Sequence, residues 1–136
     1  MAESDVRPHV AGLMCAVNIA FDPHRRLSAH ALFSRVSTEE LPFSFEQDFY
    51  VVVSLRGVPD GERTVGMYPE PGVLEFVAEA AEGKVIVEDG LAVFARSVVS
   101  CVVHQAGPQY VTFIVDGEPL EPVFAFQVVQ EEDNGD

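Results

Sequence analysis

The sequence predicts an all-β fold, an antiparallel two-sheet sandwich with about eight strands, and three observations predict it. Runs rich in Val, Phe, Ile and Thr recur at short intervals along the 136 residues. Clusters of Gly, Pro and Asp separate those runs. No helical pattern of roughly 10–15 residues lies between them, which removes the parallel α/β folds. A chain of this length is expected to form one domain around one core.

The elements follow in order. Val10 to Ala20 alternates with Leu13, Cys15, Val17 and Ile19 on one face, and Asp22-Pro23-His24 turns the chain. From Leu27 to Val36, Leu27, Ala29, Ala31 and Phe33 face one way while Ser28, His30 and Ser34 face the other. A third strand sets Phe49, Val51, Val53 and Leu55 together, and Gly57-Val-Pro-Asp-Gly61 turns it. A fourth spans Arg63 to Tyr68, stopped by Pro69-Glu-Pro-Gly72, whose prolines lack a ladder donor.

Residues 73–81 fit two patterns. Alternation places Leu74, Phe76 and Ala78 opposite Glu75 and Glu79, whereas Leu74, Val77, Ala78 and Ala81 form a helical stripe, so a strand or one short helical turn is expected. Lys84 to Glu88 reads as a short strand, and Asp89-Gly90 as a hairpin turn. Leu91 to His104 is a long strand with Val99, Cys101 and Val103 on one face. Tyr110 to Val115, Asp116-Gly117 and Val123 to Val129 make the last hairpin, with Phe124, Phe126 and Val128 sharing a face. The domain therefore spans 9–129, between an N-terminal tail (1–8) and an acidic tail (130–136) expected to be disordered.

Charge and cysteines narrow the function classes. The 22 acidic side chains against 8 basic ones give a net charge of −14, which repels phosphate backbones and anionic lipid, so neither nucleic acid nor membrane is an expected partner. No long apolar run follows the acidic N-terminus, and the expected location is cytoplasmic. Cys15 and Cys101 sit in no metal-ligand or redox spacing and alternate with aliphatic residues, so both are expected to be reduced and buried.

Several short motifs occur together: Cys15 in the opening strand, Leu32-Phe33-Ser-Arg-Val36, Glu40-Leu-Pro-Phe43, Pro71-Gly72, Gly107-Pro-Gln-Tyr110, Val115-Asp-Gly117 and Phe126-Gln-Val128. In that order they resemble a family of uncharacterised small bacterial β-sandwich proteins. The resemblance implies the fold and carries no activity, cofactor or catalytic residue. Tyr110, three residues after Gly107, also resembles the tyrosine corner of immunoglobulin-like domains.

Sites for chemistry are sparse. His9, His24, His30 and His104 share no metal spacing, and His30 (beside Ser28 and Ser34) and His104 (beside Arg96 and Ser100) read as solvent-facing strand residues. There is no nucleophile elbow and no phosphate-cradling glycine loop. No catalytic residue, cofactor or metal is therefore expected. By elimination the sequence points to a non-enzymatic module that contacts a protein, a peptide or a second copy of itself. Glu40, Phe43 and Phe45 are its candidate surface: the two rings flank Ser44 on one side of an extended segment, to plug the end of the sandwich or to dock a partner. The competing expectation is a small-ligand or enzymatic pocket in which His30, His104 and Arg96 converge.

Overall fold

A computed structural model describes residues 7–21, 23, 27–78 and 82–131. Its strands in chain order are β1 (His9–Phe21), β2 (Leu27–Phe33), β3 (Arg35–Thr38), β4 (Phe43–Ser44), β5 (Phe49–Arg56), β6 (Gly61–Pro69), β7 (Leu74–Ala78), β8 (Glu82–Val87), β9 (Leu91–Val103), β10 (Gly107–Val115), β11 (Glu118–Pro119) and β12 (Val123–Gln130). They form two curled sheets. The first runs β2-β1-β5-β9, with β4 and β7 on opposite edges of the far half of β9; the second runs β3-β12-β10-β6-β8, with β11 on β10. Among the described residues there is no helix, and so none long and apolar enough to cross a membrane.

The architecture is all-β and sandwich-like, but the described residues form twelve strands where about eight are expected, and the reasons are local. The strand expected over Leu27–Val36 breaks at Ser34: β2 pairs with β1 in the first sheet, and β3 crosses into the second. There β3 lies parallel to β12, Arg35 opposite Gln127, so the fold is mixed and not purely antiparallel. The ambiguous segment is the strand β7 as far as Ala78, because pairing with β9 satisfies its backbone where a lone helical turn would leave most groups open. The remaining two, β4 and β11, are two-residue strands too short to leave a period. The N-terminal tail through residue 6 and the acidic tail from residue 132 lie outside the described residues.

Two bulges correct the expected faces. At Ser100, which takes a φ of 54°, the alternation of β9 reverses: Ala92 and Val98 are buried before it, Cys101 and Val103 after it, and Val99 is turned away. Across β10 and β12, Ala125 is the extra residue, so Phe126 and Val128 stay buried while Phe124 turns outward. Tyr110 meets it there edge to face at 6.3 Å, an outer-surface pair rather than a tyrosine corner. In β2, Ala31 takes a φ of 57° and is exposed, leaving Leu27, Ala29 and Phe33 as the half-buried positions.

The core lies between the sheets, with Val51, Val53 and Leu55 of β5 facing Val111 and Phe113 of β10. Burying a ring such as Phe113 contributes about 1.5–3 kcal/mol. Cys15 and Cys101 are free and buried within this core, and burial pushes both thiols up to about 12. Among the described residues one polar side chain is fully enclosed. Gln109 donates from Nε2 to the carbonyls of Gln105 and Gly107 at 2.9 and 3.1 Å, tying the β9–β10 turn to the strand that follows it.

Candidate functional site: a phenylalanine pocket where two strands part

The pairing of β1 changes along its length. Its ladder with β5 runs from His9 to Ala16, whose partner is Tyr50, while its ladder with β2 continues to Phe21 opposite Leu27. From Val17 onward β1 therefore has β2 on one edge and no ladder on the other. The chain before β5 follows β9 instead. Phe43 and Ser44 pair with Val103 and Val102, the Phe45 N–H donates to the Cys101 carbonyl at 2.9 Å, and Phe49 resumes pairing opposite Val98. The β4–β5 side carries one more residue than β9 over that stretch, so residues 46–48 arch out and the sheet opens.

The opening is a pocket of about 390 Å³ lined by Val17, Phe33, Val36, Phe43, Phe45 and Phe49, with Ser44, Glu46, Gln47 and Asp48 at its rim. That size falls in the range of small-ligand and side-chain sites, roughly 300–1,000 Å³. Phe45 is the hub: its ring centroid lies 5.0 Å from that of Phe49, 5.1 Å from Phe43, 5.6 Å from Phe126 and 6.1 Å from Phe33. Most of these pairs are steeply tilted or edge to face, the arrangement ring quadrupoles favour. Such a cluster holds its walls by contact alone, and its mouth is apolar with an acidic border.

Of the expected surface residues, Phe43 and Phe45 are both half-buried and flank the outward Ser44. Each packs against the core and also lines the pocket, so plug and wall are the same rings. Glu40 is exposed outside the pocket, in a turn where the Thr38 hydroxyl donates to the Glu40 carbonyl at 3.0 Å. The peptide between Leu41 and Pro42 is cis.

The three side chains of the competing expectation are not brought together. His30 is exposed on edge strand β2, opposite Asn18. His104 follows β9 and meets the Glu75 carboxylate at 3.2 Å in solvent. Arg96 points inward because it lies before the bulge at Ser100. Its guanidinium stacks 4.9 Å over Phe94 and fills the space a side chain at Gly83 would need, and burial pushes its pKa down. His24 lies outside the described residues. Among the described residues no three His, Cys, Asp or Glu side chains gather as a metal site would require.

A larger cleft of about 1,000 Å³ occupies the opposite end, lined by the turns at Gly57–Pro59 and Glu88–Gly90 with His9 and Arg56. Its lining mixes the charged Arg56, Glu88 and Asp89 with strand residues such as Ile86 and Val93. The sequence reading missed Phe33, Phe49 and Phe126 as members of the pocket and its cluster; the signal available was their shared inward parity with Phe43 and Phe45. No family model matches this chain and no curated protein matches its sequence, so the site stands on its own geometry.

Proposed function

We propose that this domain is a non-enzymatic peptide-recognition module of the cytoplasm, which receives an extended segment of a partner protein against the open edge of β1 and seats one apolar side chain in the phenylalanine pocket. The observation that carries it is the loss of β5 as a partner after Ala16, beside a pocket walled by phenylalanines. An unpaired strand edge supplies backbone donors and acceptors to any extended chain, and a pocket at alternate side-chain spacing supplies selectivity. Glu46 and Asp48 at the rim favour basic residues flanking the apolar anchor, since complementary rim charge speeds association and excludes acidic competitors. Free buried thiols agree with a reducing compartment.

Selection from a random peptide display library tests the proposal, with a Ser44→Trp variant as the blocked control. Ser44 is exposed at the pocket rim, so the indole is expected to fill the mouth without disturbing the core. The expected result is a set of peptides with an apolar anchor and basic flanks, whose binding weakens at least roughly tenfold in Ser44→Trp and shifts the amide resonances of Val17 to Phe21. Peptides that bind the blocked variant equally, or shift only the Gly57 and Gly90 turns, overturn it.

A further inference from the structure

We infer that the outer face of the first sheet is a self-association surface, on which a second copy of this chain packs face to face about a twofold axis. The pairing registers place that face residue by residue: Gly12 opposite Ser54 and Ser54 opposite Val93; Met14 opposite Val52 and Val52 opposite Ala95; Ala16 between Leu32 and Tyr50. Their strand neighbours Cys15, Val51, Val53 and Ala92 are buried inward, so the pleat turns these residues to the outer face, where Ala16 and Val52 are nonetheless buried and the exposed positions are Gly12, Met14, Leu32 and Val93.

Between the row of Gly12 and the row of His30, this four-strand face carries no Asp, Glu, Lys or Arg; Arg56 borders it one row beyond. In a chain of net charge −14 with 22 acidic residues, such a gap is unusual for a solvated surface. The second sheet is treated otherwise, since its edge carries the exposed ion pair of Lys84 with Glu62 at 3.2 Å.

Apolar anchors stand on the uncharged face. Met14 is 45% exposed, Leu32 58% and Val93 57%. The uncharged rows span about seven residues of β1, mostly three strands wide at ~4.8 Å spacing, a footprint on the order of 300 Å² before side-chain relief. That is below the roughly 800 Å² of accessible surface each partner contributes to a standard interface, so the contact is expected to be weak and to fill at high micromolar concentration.

Charge selects the occupant. A basic partner gains nothing from a neutral patch and is drawn to the acidic surfaces around it. A second copy repels this chain everywhere except where neither surface carries a carboxylate, and a twofold axis brings that same patch onto itself. Aligned sheet faces then pack ~10 Å apart, as in the interior of a sandwich.

Sedimentation equilibrium on the full chain, at low salt and at ~0.5 M NaCl where the repulsion of the surrounding acids is screened, decides the matter. The expected species is a dimer that tightens with salt. Met14→Glu and Val93→Glu, each at an exposed position and each verified as folded by circular dichroism, are expected to weaken it at least roughly tenfold, because each puts like charges into both halves of the contact. Should either fail to fold, Leu32→Glu serves the same purpose. Ser44→Trp is expected to leave the dimer unchanged, so failure of the peptide-binding reading and failure of this one are separate results. A monomer at high micromolar concentration in both salts, or a dimer indifferent to the glutamate variants, overturns the inference.

Discussion

The two ends of the sandwich are closed by different chemistry. At the end holding the turns after β5 and β8, the backbone is stitched: the Gly57 N–H donates to the Gly90 carbonyl at 3.0 Å, the Gly90 N–H to Asp60 Oδ1 at 2.8 Å, and Arg63 to the carbonyls of Pro59 and Asp60 at 2.8 and 2.6 Å. Asp116 adds a further bond, accepting from the Thr64 N–H at 2.9 Å. At the other end the phenylalanines meet ring on ring and the ladder between β1 and β5 is left open. Directional bonds use up backbone groups and leave nothing for a partner. Ring contacts fill volume and leave the nearby strand edge free.

The largest expected effects lie at the aromatic end. Phe49→Ala and Phe126→Ala, which remove rings only 4% and 1% exposed, are expected to cost about 3–5 kcal/mol each in urea unfolding. Phe45→Ala and Phe43→Ala remove half-buried rings at the pocket wall, and about 2–3 and 1–2 kcal/mol are expected. Equal losses across the four would mean that the pocket is closed in solution.

The ends should also differ in pH response. Cys15 and Cys101 belong to the aromatic side of the core, where desolvation raises their folded-state pKa from 9.0 to about 12. Below pH 9 the thiols are neutral in both states and stability is complete. Between pH 9 and 12 the unfolded chain releases protons that the folded one retains, so stability falls by up to about 1.4 kcal/mol per pH unit for each thiol. Cys15→Ala is expected to make that alkaline slope shallower, which melts at a series of pH values would show; an unchanged slope would place the thiols in water.

The smallest effect belongs to the stitched end. The Thr64 N–H, and after it Arg63, hold the Asp116 carboxyl below the usual carboxylate range. Its contribution is present above that range and is lost as pH falls through the depressed folded value. Asp116→Ala is therefore expected to lower the melting temperature slightly at neutral pH and not at all in strong acid. A difference that persists in strong acid would show that the side chain acts by packing and not by charge.

Local pattern made most strands legible. The alternation through Phe49, Val51, Val53 and Leu55 is an inward parity that any reader can count, and the Asp-Gly and Pro-Gly turns fall where left-handed backbone is needed. What escaped depends on residues that break a period. Ser100 and Ala125 each add a residue that reverses the faces beyond it, so Val99, Phe124 and Arg96 lie on the faces opposite to those their alternation predicts. Arg96, expected to share a face with His104, points inward for that reason. The pocket was half legible: Pro42 and the spacing of Phe43 and Phe45 gave two walls, but the parting of β1 from β5 is a property of the pairing register, which no single strand records.

The parallel contact of β3 with β12 has a consequence for the chain as it is made. Arg35 to Thr38 are among the earlier residues to emerge from a ribosome, yet their ladder partners Gln127 to Gln130 are among the later ones of this sequence, and the Glu131 N–H then caps the pair on the Thr38 carbonyl at 2.8 Å. During synthesis β3 must wait with an unsatisfied edge, and the second sheet cannot close by local hairpins alone. Pairing over such a separation is slow, and the waiting edge is exposed to other strands meanwhile.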